Sequence, residues 1–160
     1  MEKLWAPWRA NYILAKHGKR CIFCNKQKSK KDKTNYVIAR GKHVFSILNL
    51  FPYNNGHIMV APYRHVRDIT ELEDRELLEM LRFIKESQRL LNKVLKPEGY
   101  NIGMNLGKVA GAGIASHVHL HIVPRWTGDT NFMPVVSGTK IISQSLDSLY
   151  EKLKANVRKG

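Results

Sequence analysis

The sequence predicts an α+β domain, an antiparallel sheet crossed by one long helix and followed by a C-terminal helix. Three features carry that expectation. Five short β-rich runs alternate with turn signals, one long stretch repeats leucine at helical spacing, and a shorter amphipathic stretch follows the last strand.

In chain order, strands are expected at residues 36–39, 43–48, 57–61, 100–106 and 118–123. Asn54-Asn55-Gly56 is the turn between the second and third. The long helix is expected over residues 71–96, with Thr70 and Glu73 as a capping box and Leu77, Leu81, Ile84, Leu91 and Leu95 on one face. Pro97 and Gly99 end it. The second helix is expected over residues 143–154, where Leu146, Leu149, Tyr150 and Leu153 share a side.

At 160 residues the chain fits a single domain spanning 1–160, with a core at about 21–126 and a C-terminal extension at 127–160. A hydrophobic content of 43% and a charged content of 25% fit a soluble globular protein. No apolar run reaches membrane-spanning length, and Met1 to Arg9 lack the apolar centre of a signal peptide, so no membrane partner and a cytoplasmic location are expected. The net charge is +14, from 27 Lys+Arg against 13 Asp+Glu, which favours polyanionic partners. Much of it sits in Lys19, Arg20, Lys26, Lys28, Lys30, Lys31 and Lys33, and in Lys152, Lys154, Arg158 and Lys159. The stretch at about 26–34 reads as a mobile basic loop. A nucleic-acid-binding module is a second class of function, but the lysines do not interleave with aromatics and no helix-turn-helix or zinc-finger spacing occurs.

The chemistry concentrates in His117-Val118-His119-Leu120-His121-Ile122-Val123. On a strand the three histidines face one way and Val118, Leu120 and Ile122 the other, with successive histidines roughly 7 Å apart from a rise of about 3.3 Å per residue. Imidazoles so gathered fit either a metal site or imidazole catalysis at phosphorus. The loop from Asn105 to Ser116 leads into them, and backbone amides at Gly111 and Gly113 are suited to approach phosphate oxygens. Cys21 and Cys24 form one Cys-x-x-Cys, which in a reducing compartment points to a metal site or a redox pair.

These residues resemble the histidine triad family, whose motif is His-x-His-x-His followed by two apolar residues. Pro124-Arg125-Trp126, Phe45-Ser46-Ile47-Leu48-Asn49 and Gly56-His57-Ile58-Met59-Val60-Ala61-Pro62 extend the likeness, which covers roughly residues 21–126. The resemblance implies the histidine triad fold, a homodimer, and hydrolase or transferase activity on nucleotides. It implies His119 as the nucleophile, with His121 and His57 at phosphate oxygens. Asn49 would lie at the ribose, Ile47, Leu48 and Phe51 near the base, and Asn105 by the phosphates. It further implies a structural zinc on Cys21, Cys24, His65 and His117, with free cysteines or a catalytic zinc on the three histidines as the other readings. No catalytic metal is expected.

Many members carry Gln followed by Ser or Thr before the triad, whereas this chain reads Ala110-Gly111-Ala112-Gly113-Ile114. That departure looks closer to the diadenosine tetraphosphate phosphorylase branch, in which inorganic phosphate accepts the nucleotidyl group and releases ADP. Lys108 and Arg125 are candidate contributors to holding that anion. Hydrolysis of dinucleoside polyphosphates or nucleoside phosphoramidates is the alternative.

Overall fold

The computed structural model describes residues 21–129 and 142–157. Met1 to Arg9, Lys19, Arg20, Arg158, Lys159 and part of the expected C-terminal extension lie outside the described residues. Within them, five strands form one antiparallel sheet: β1 (Val37–Arg40), β2 (Val44–Leu48), β3 (Ile58–Pro62), β4 (Gly99–Met104) and β5 (Leu120–Arg125), in the order β1-β2-β3-β5-β4. The helices are α1 (Ile22–Lys28), α2 (Asp32–Asn35), α3 (Asp74–Leu95) and α4 (Leu146–Asn156). The expected fold class is the one observed. No described helix is long and apolar enough to cross a membrane.

The central strands β2 and β3 are buried along their whole length, and their side chains divide strictly by face. Val44, Leu48, Ile58 and Val60 join Val118, Leu120 and Ile122 beneath α3 and α4. Phe45, Ile47, Met59 and Ala61 face the opposite way and pack with Phe23 of α1 and Val37 of β1. The sheet is thus covered on both faces, which explains why its middle strands show no polar alternation.

The long helix begins later than the sequence pattern indicated. Thr70 belongs to a preceding 3-10 turn, where its N–H and hydroxyl both donate to Asp68 Oδ1. The capping box is Glu73 with Glu76, and Glu76 also receives a bidentate pair from Arg64 at 3.0 and 2.6 Å. The buried stripe runs Met80, Phe83, Ser87 and Leu91, with Leu77, Ile84 and Leu95 packed at its margin. Leu81 departs from the expected face: it is 58% exposed, and Leu78, three residues earlier, is 52% exposed. In α4, Leu149, Tyr150 and Leu153 are buried and Leu146 packs beside them, as the spacing predicted.

The basic stretch is not a loop through most of its length. Residues up to Lys28 and from Asp32 onward are helical. The Arg40 guanidinium donates to the carbonyls of Lys26, Gln27 and Ser29 and to Asp32 Oδ1, so one cation closes the end of α1 and ties α2 to β1. Lys26 donates to Asn35 O at 3.1 Å, and Lys33 pairs with Glu151 at 2.6 Å. These tertiary partners override the local repulsion among lysines.

The turn at residues 54–56 sets the approach to β3. Gly56 adopts φ +80°, and the buried Asn54 amide donates to Pro124 O and Asp129 Oδ2 at the end of β5. Opposite, Glu79 of α3 accepts from the backbone N–H groups of Lys42, His43 and Val44, which fastens the β1–β2 turn to the helix. Glu79→Ala strips three donors of one carboxylate acceptor. It is expected to lower unfolding free energy by about 2 to 4 kcal/mol in urea melts; a change within about 0.5 kcal/mol, the scatter of ordinary surface substitutions, would show the clamp to be unimportant.

Candidate functional site

The histidine segment enters β5 with the predicted division of faces. Val118, Leu120 and Ile122 lie in the helix-side core, and His119 and His121 lie on the other face, where Met59 pairs with His121 across the strand. The face that the histidines share is not open to solvent: His117, His119 and His121 are 0%, 5% and 8% exposed. The rings also lean together. The centroids of His119 and His121 are 4.8 Å apart and those of His57 and His121 are 5.0 Å apart.

Burial forces each ring nitrogen to find a partner, and those partners fix the tautomers. His119 Nδ1 donates to His117 O at 2.8 Å, since a carbonyl only accepts; Nε2 therefore carries the lone pair. His117 Nε2 donates in the same way to Pro62 O at 2.9 Å, leaving its lone pair on Nδ1. The Tyr53 N–H donates to His57 Nδ1 at 3.1 Å, so the His57 proton sits on Nε2 and is given to His121 Nδ1 at 2.9 Å. His121 then carries its proton on Nε2, a buried nitrogen with no hydrogen-bond partner among the described residues. The chain from Tyr53 through His57 ends in a donor awaiting an acceptor.

Burial favours the neutral form of His117, His119 and His121. Burial pushes His117 down to about 4, with His65 and His119 adding to the effect. Burial, and then His119, push His121 down to about 4. Burial lowers His119 as well, opposed by its bond to His117 O.

Beside the triad, Cys21, Cys24, His65 and His117 offer four ligand atoms within 4.8 Å of one another. His117 Nδ1 lies 3.3 Å from Cys21 Sγ, 3.7 Å from Cys24 Sγ and 3.2 Å from His65 Nδ1, and His65 Nδ1 lies 3.3 Å from Cys24 Sγ. A tetrahedron with bonds of about 2.0 to 2.3 Å has edges of about 3.3 to 3.8 Å, so the cluster fits a metal ion of the zinc type. The Pro62 carbonyl contributes by turning the lone pair of His117 toward the cluster, a common outer partner of a metal-bound imidazole. Burial, then the neighbouring Cys21 thiol, push the Cys24 thiol up.

The remaining expected site residues divide. Asn49 lies at His57, its Nδ2 3.3 Å from Nδ1 and its Oδ1 accepting from Phe51 N at 3.0 Å. Ile47 faces the histidine side, but Leu48 does not. Adjacent strand residues point to opposite faces, and Leu48 is part of the core beneath α3. Asn105 reaches Gly111, where a Cβ would meet Asn105 Nδ2 at 3.8 Å. The Gly111 amide is not open to a phosphate, however, because it donates to Lys108 O at 3.0 Å within a 3-10 turn. Gly113 has a partner of its own. Arg125 is likewise engaged, bidentate to Asp129 at 2.6 and 2.9 Å and bonded to Asn101 at 2.7 Å. Across from His121 on β4 stands Gly103, where an added Cβ would meet nothing within 4 Å.

Two residues escaped the sequence reading. Tyr53 lies over the His57–His121 pair, its ring 4.7 and 5.5 Å from theirs, and Phe23 touches both His117 and His119. Tyr53 is signalled only by its position shortly before Gly56-His57, and Phe23 only by lying between the two cysteines.

The family described as the HIT domain matches residues 30–128. The AP-4-A phosphorylase of Mycobacterium tuberculosis (strain ATCC 25618 / H37Rv) is 40% identical over 154 residues, covering 91% of this chain and 79% of that protein. The asymmetrical bis(5'-nucleosyl)-tetraphosphatase of Schizosaccharomyces pombe is 34% identical over 93 residues, covering 58% of this chain and 50% of that protein. Among solved structures, a Zn-bound histidine triad family protein from Mycobacterium smegmatis superposes with a TM-score of 0.66 at 25% identity, over 84% of this chain and 91% of that one.

The buried imidazoles make stability depend on pH. An unfolded histidine takes up its proton near 6.5, whereas folded His117 and His121 do so only near about 4. Between those values the unfolded chain binds more protons, so stability should fall as pH drops from 6.5 toward 4 and level off below. Urea melts across that window should show a shallower slope for His121→Gln; an unchanged slope would mean that His121 is not held neutral by burial.

Proposed function

The chain belongs to the HIT domain family, and from that premise we propose that it cleaves dinucleoside polyphosphates by phosphorolysis, carrying the nucleotidyl group on Nε2 of His119. It is an enzyme acting on nucleoside phosphates, as are the phosphorylase and the tetraphosphatase that it resembles. The observation that carries the reading is the hydrogen bond from His119 Nδ1 to His117 O, which leaves a neutral imidazole with its lone pair on Nε2.

In the first step the Nε2 lone pair attacks the α-phosphorus of diadenosine tetraphosphate. The new N–P bond replaces the bond to the bridging oxygen, and ATP leaves with the electron pair. Positive charge develops on the imidazole, and the His117 carbonyl on Nδ1–H stabilises it more strongly as it forms. His121 Nε2–H, a donor with no partner, is the proposed contact to a phosphoryl oxygen, with His57 holding its tautomer. In the second step an oxygen of inorganic phosphate attacks the same phosphorus, the N–P bond breaks, and ADP is released with His119 neutral again. Atoms balance as diadenosine tetraphosphate plus phosphate to ATP plus ADP.

Asn49, Ile47 and Phe51 are the proposed ribose and base end, and Asn105 with the Gly111–Gly113 loop is the proposed phosphate end. With the N–H groups of Gly111 and Ala112 and the Arg125 guanidinium already engaged, the acceptor phosphate would depend on His121 and Lys108. The proposed resident metal is a structural zinc on Cys21, Cys24, His65 and His117, supported by their spacing and by the Zn-bound relative. It would tie α1 to the histidine segment, and the reducing cytoplasm would keep both thiols available to it. A second copy of the chain is the proposed partner for the outer edge of β4, where Asn101, Ile102 and Gly103 are exposed and no described strand pairs.

His119→Ala should abolish turnover while melting near the wild type, because the apolar face of β5 is untouched. With diadenosine tetraphosphate and saturating phosphate, the wild type should give ATP and ADP; in oxygen-18 water, mainly ATP plus labelled AMP would show that water is the acceptor and the protein a hydrolase. Retained turnover in folded His119→Ala would remove the covalent route.

Protein prepared without chelator should contain about one zinc per chain. Chelation should lower the melting temperature more than it lowers the rate at temperatures where the protein stays folded. Metal analysis without zinc would eliminate the site, and loss of chemistry in still-folded stripped protein would place the metal in the reaction itself.

A further inference from the structure

Among the described residues the candidate nucleophile is held by one hydrogen bond, from Nδ1 to His117 O. That bond alone does not fix an imidazole. The terminal torsion of histidine is broad and roughly two-fold, and a half-turn exchanges Nδ1 for a carbon, which breaks the bond and removes the lone pair from its place. Packing against the ring faces has to supply the rest of the restraint.

Phe23 supplies a surface of that kind. Its ring is fully buried, lies 4.9 Å from His119 at an interplanar angle of 40°, and lies 5.1 Å from His117 at 46°. It therefore contacts both the ring that must stay oriented and the residue whose carbonyl orients it. Phe23 is itself backed by Phe45, edge-on at 6.4 Å, which stacks on Tyr63 at 5.6 Å. His121 meets the His119 ring edge-on at 4.8 Å and 68°. Phe23 sits in the first turn of α1, between Cys21 and Cys24, so its seat is set by the two residues that join His65 and His117 in the ligand cluster.

We propose that Phe23 is a positioning residue for His119, whose ring keeps the imidazole from turning and so holds Nδ1–H on the His117 carbonyl and the lone pair on Nε2. This rests on the reading of His119 as the nucleotidyl carrier. It also gives the Cys-x-x-Cys segment a part in catalysis that passes through packing and requires no contact with substrate. A misdirected nucleophile lowers the rate of the chemical step far more than it weakens substrate binding, since binding contacts lie elsewhere.

The test uses Phe23→Leu, with Phe23→Met as a second variant of similar volume whose longer, unbranched side chain reaches further, both in the full chain with zinc supplied and with cooperative melting as the check on folding. Two readouts are taken. In steady-state phosphorolysis of diadenosine tetraphosphate, kcat should fall roughly tenfold or more while KM changes less than about twofold. In long-range proton–nitrogen spectra of the substrate-free protein at neutral pH, the His119 ring should change from a single Nδ1–H tautomer to a mixture. A folded variant that keeps kcat within about twofold of the wild type, or that keeps the single tautomer, overturns the proposal. Should His119→Ala retain turnover, the nucleophile reading falls by itself, and the spectra then decide whether Phe23 fixes the ring.

Discussion

Each imidazole buried on the histidine face of the sheet has two nitrogens to satisfy and few groups within reach. The backbone answers for one nitrogen of His117 and one of His119, through the carbonyls of Pro62 and of His117 itself. Those two hydrogen bonds decide where the lone pairs go: on Nδ1 of His117, toward the cysteines, and on Nε2 of His119. A single residue thus serves two sites, its ring joining the ligand cluster and its carbonyl orienting the next histidine.

The rest of the architecture maintains that arrangement. The strict division of β2, β3 and β5 into two faces lets aliphatic side chains seal the helix side while Phe23, Phe45, Ile47, Met59 and Ala61 pack on the face that carries the imidazoles. Asn54 and Gly56 set the turn that delivers His57 to His121, and Arg64 links the segment before His65 to the first turn of α3 through Glu76. Buried polar networks of this kind specify one geometry because any slip leaves a further donor or acceptor unpaired in a poorly solvated place.

One donor in this network stays unpaired. His121 Nε2–H is buried and without a partner among the described residues, at the end of a hydrogen-bond chain that begins at the Tyr53 backbone. An unsatisfied buried group costs stability, and an anionic phosphoryl oxygen is a natural acceptor for a neutral N–H held in advance. Preorganisation of this kind favours the charge that develops during displacement at phosphorus, since no group has to reorient when it forms.

The candidate site residues stood out in the chain because their signals are local. Period-two histidines next to period-two aliphatics define a strand with two unlike faces, and Cys-x-x-Cys places two thiols on one turn. Asn54-Asn55-Gly56 announces a turn through its need for a positive φ. What the chain alone did not reveal depends on contacts between distant segments. The lysine-rich stretch becomes helical because Arg40 collects its carbonyls, and the capping box shifts to Glu73 and Glu76 because Arg64 completes it. Leu48 turns to the core, Gly111 spends its amide within its own turn, and Arg125 is taken by Asp129. Sequence spacing determined which side chains share a face; only tertiary packing decided how deeply they are buried and which hydrogen-bonding groups remain free, because both depend on partners far apart along the chain.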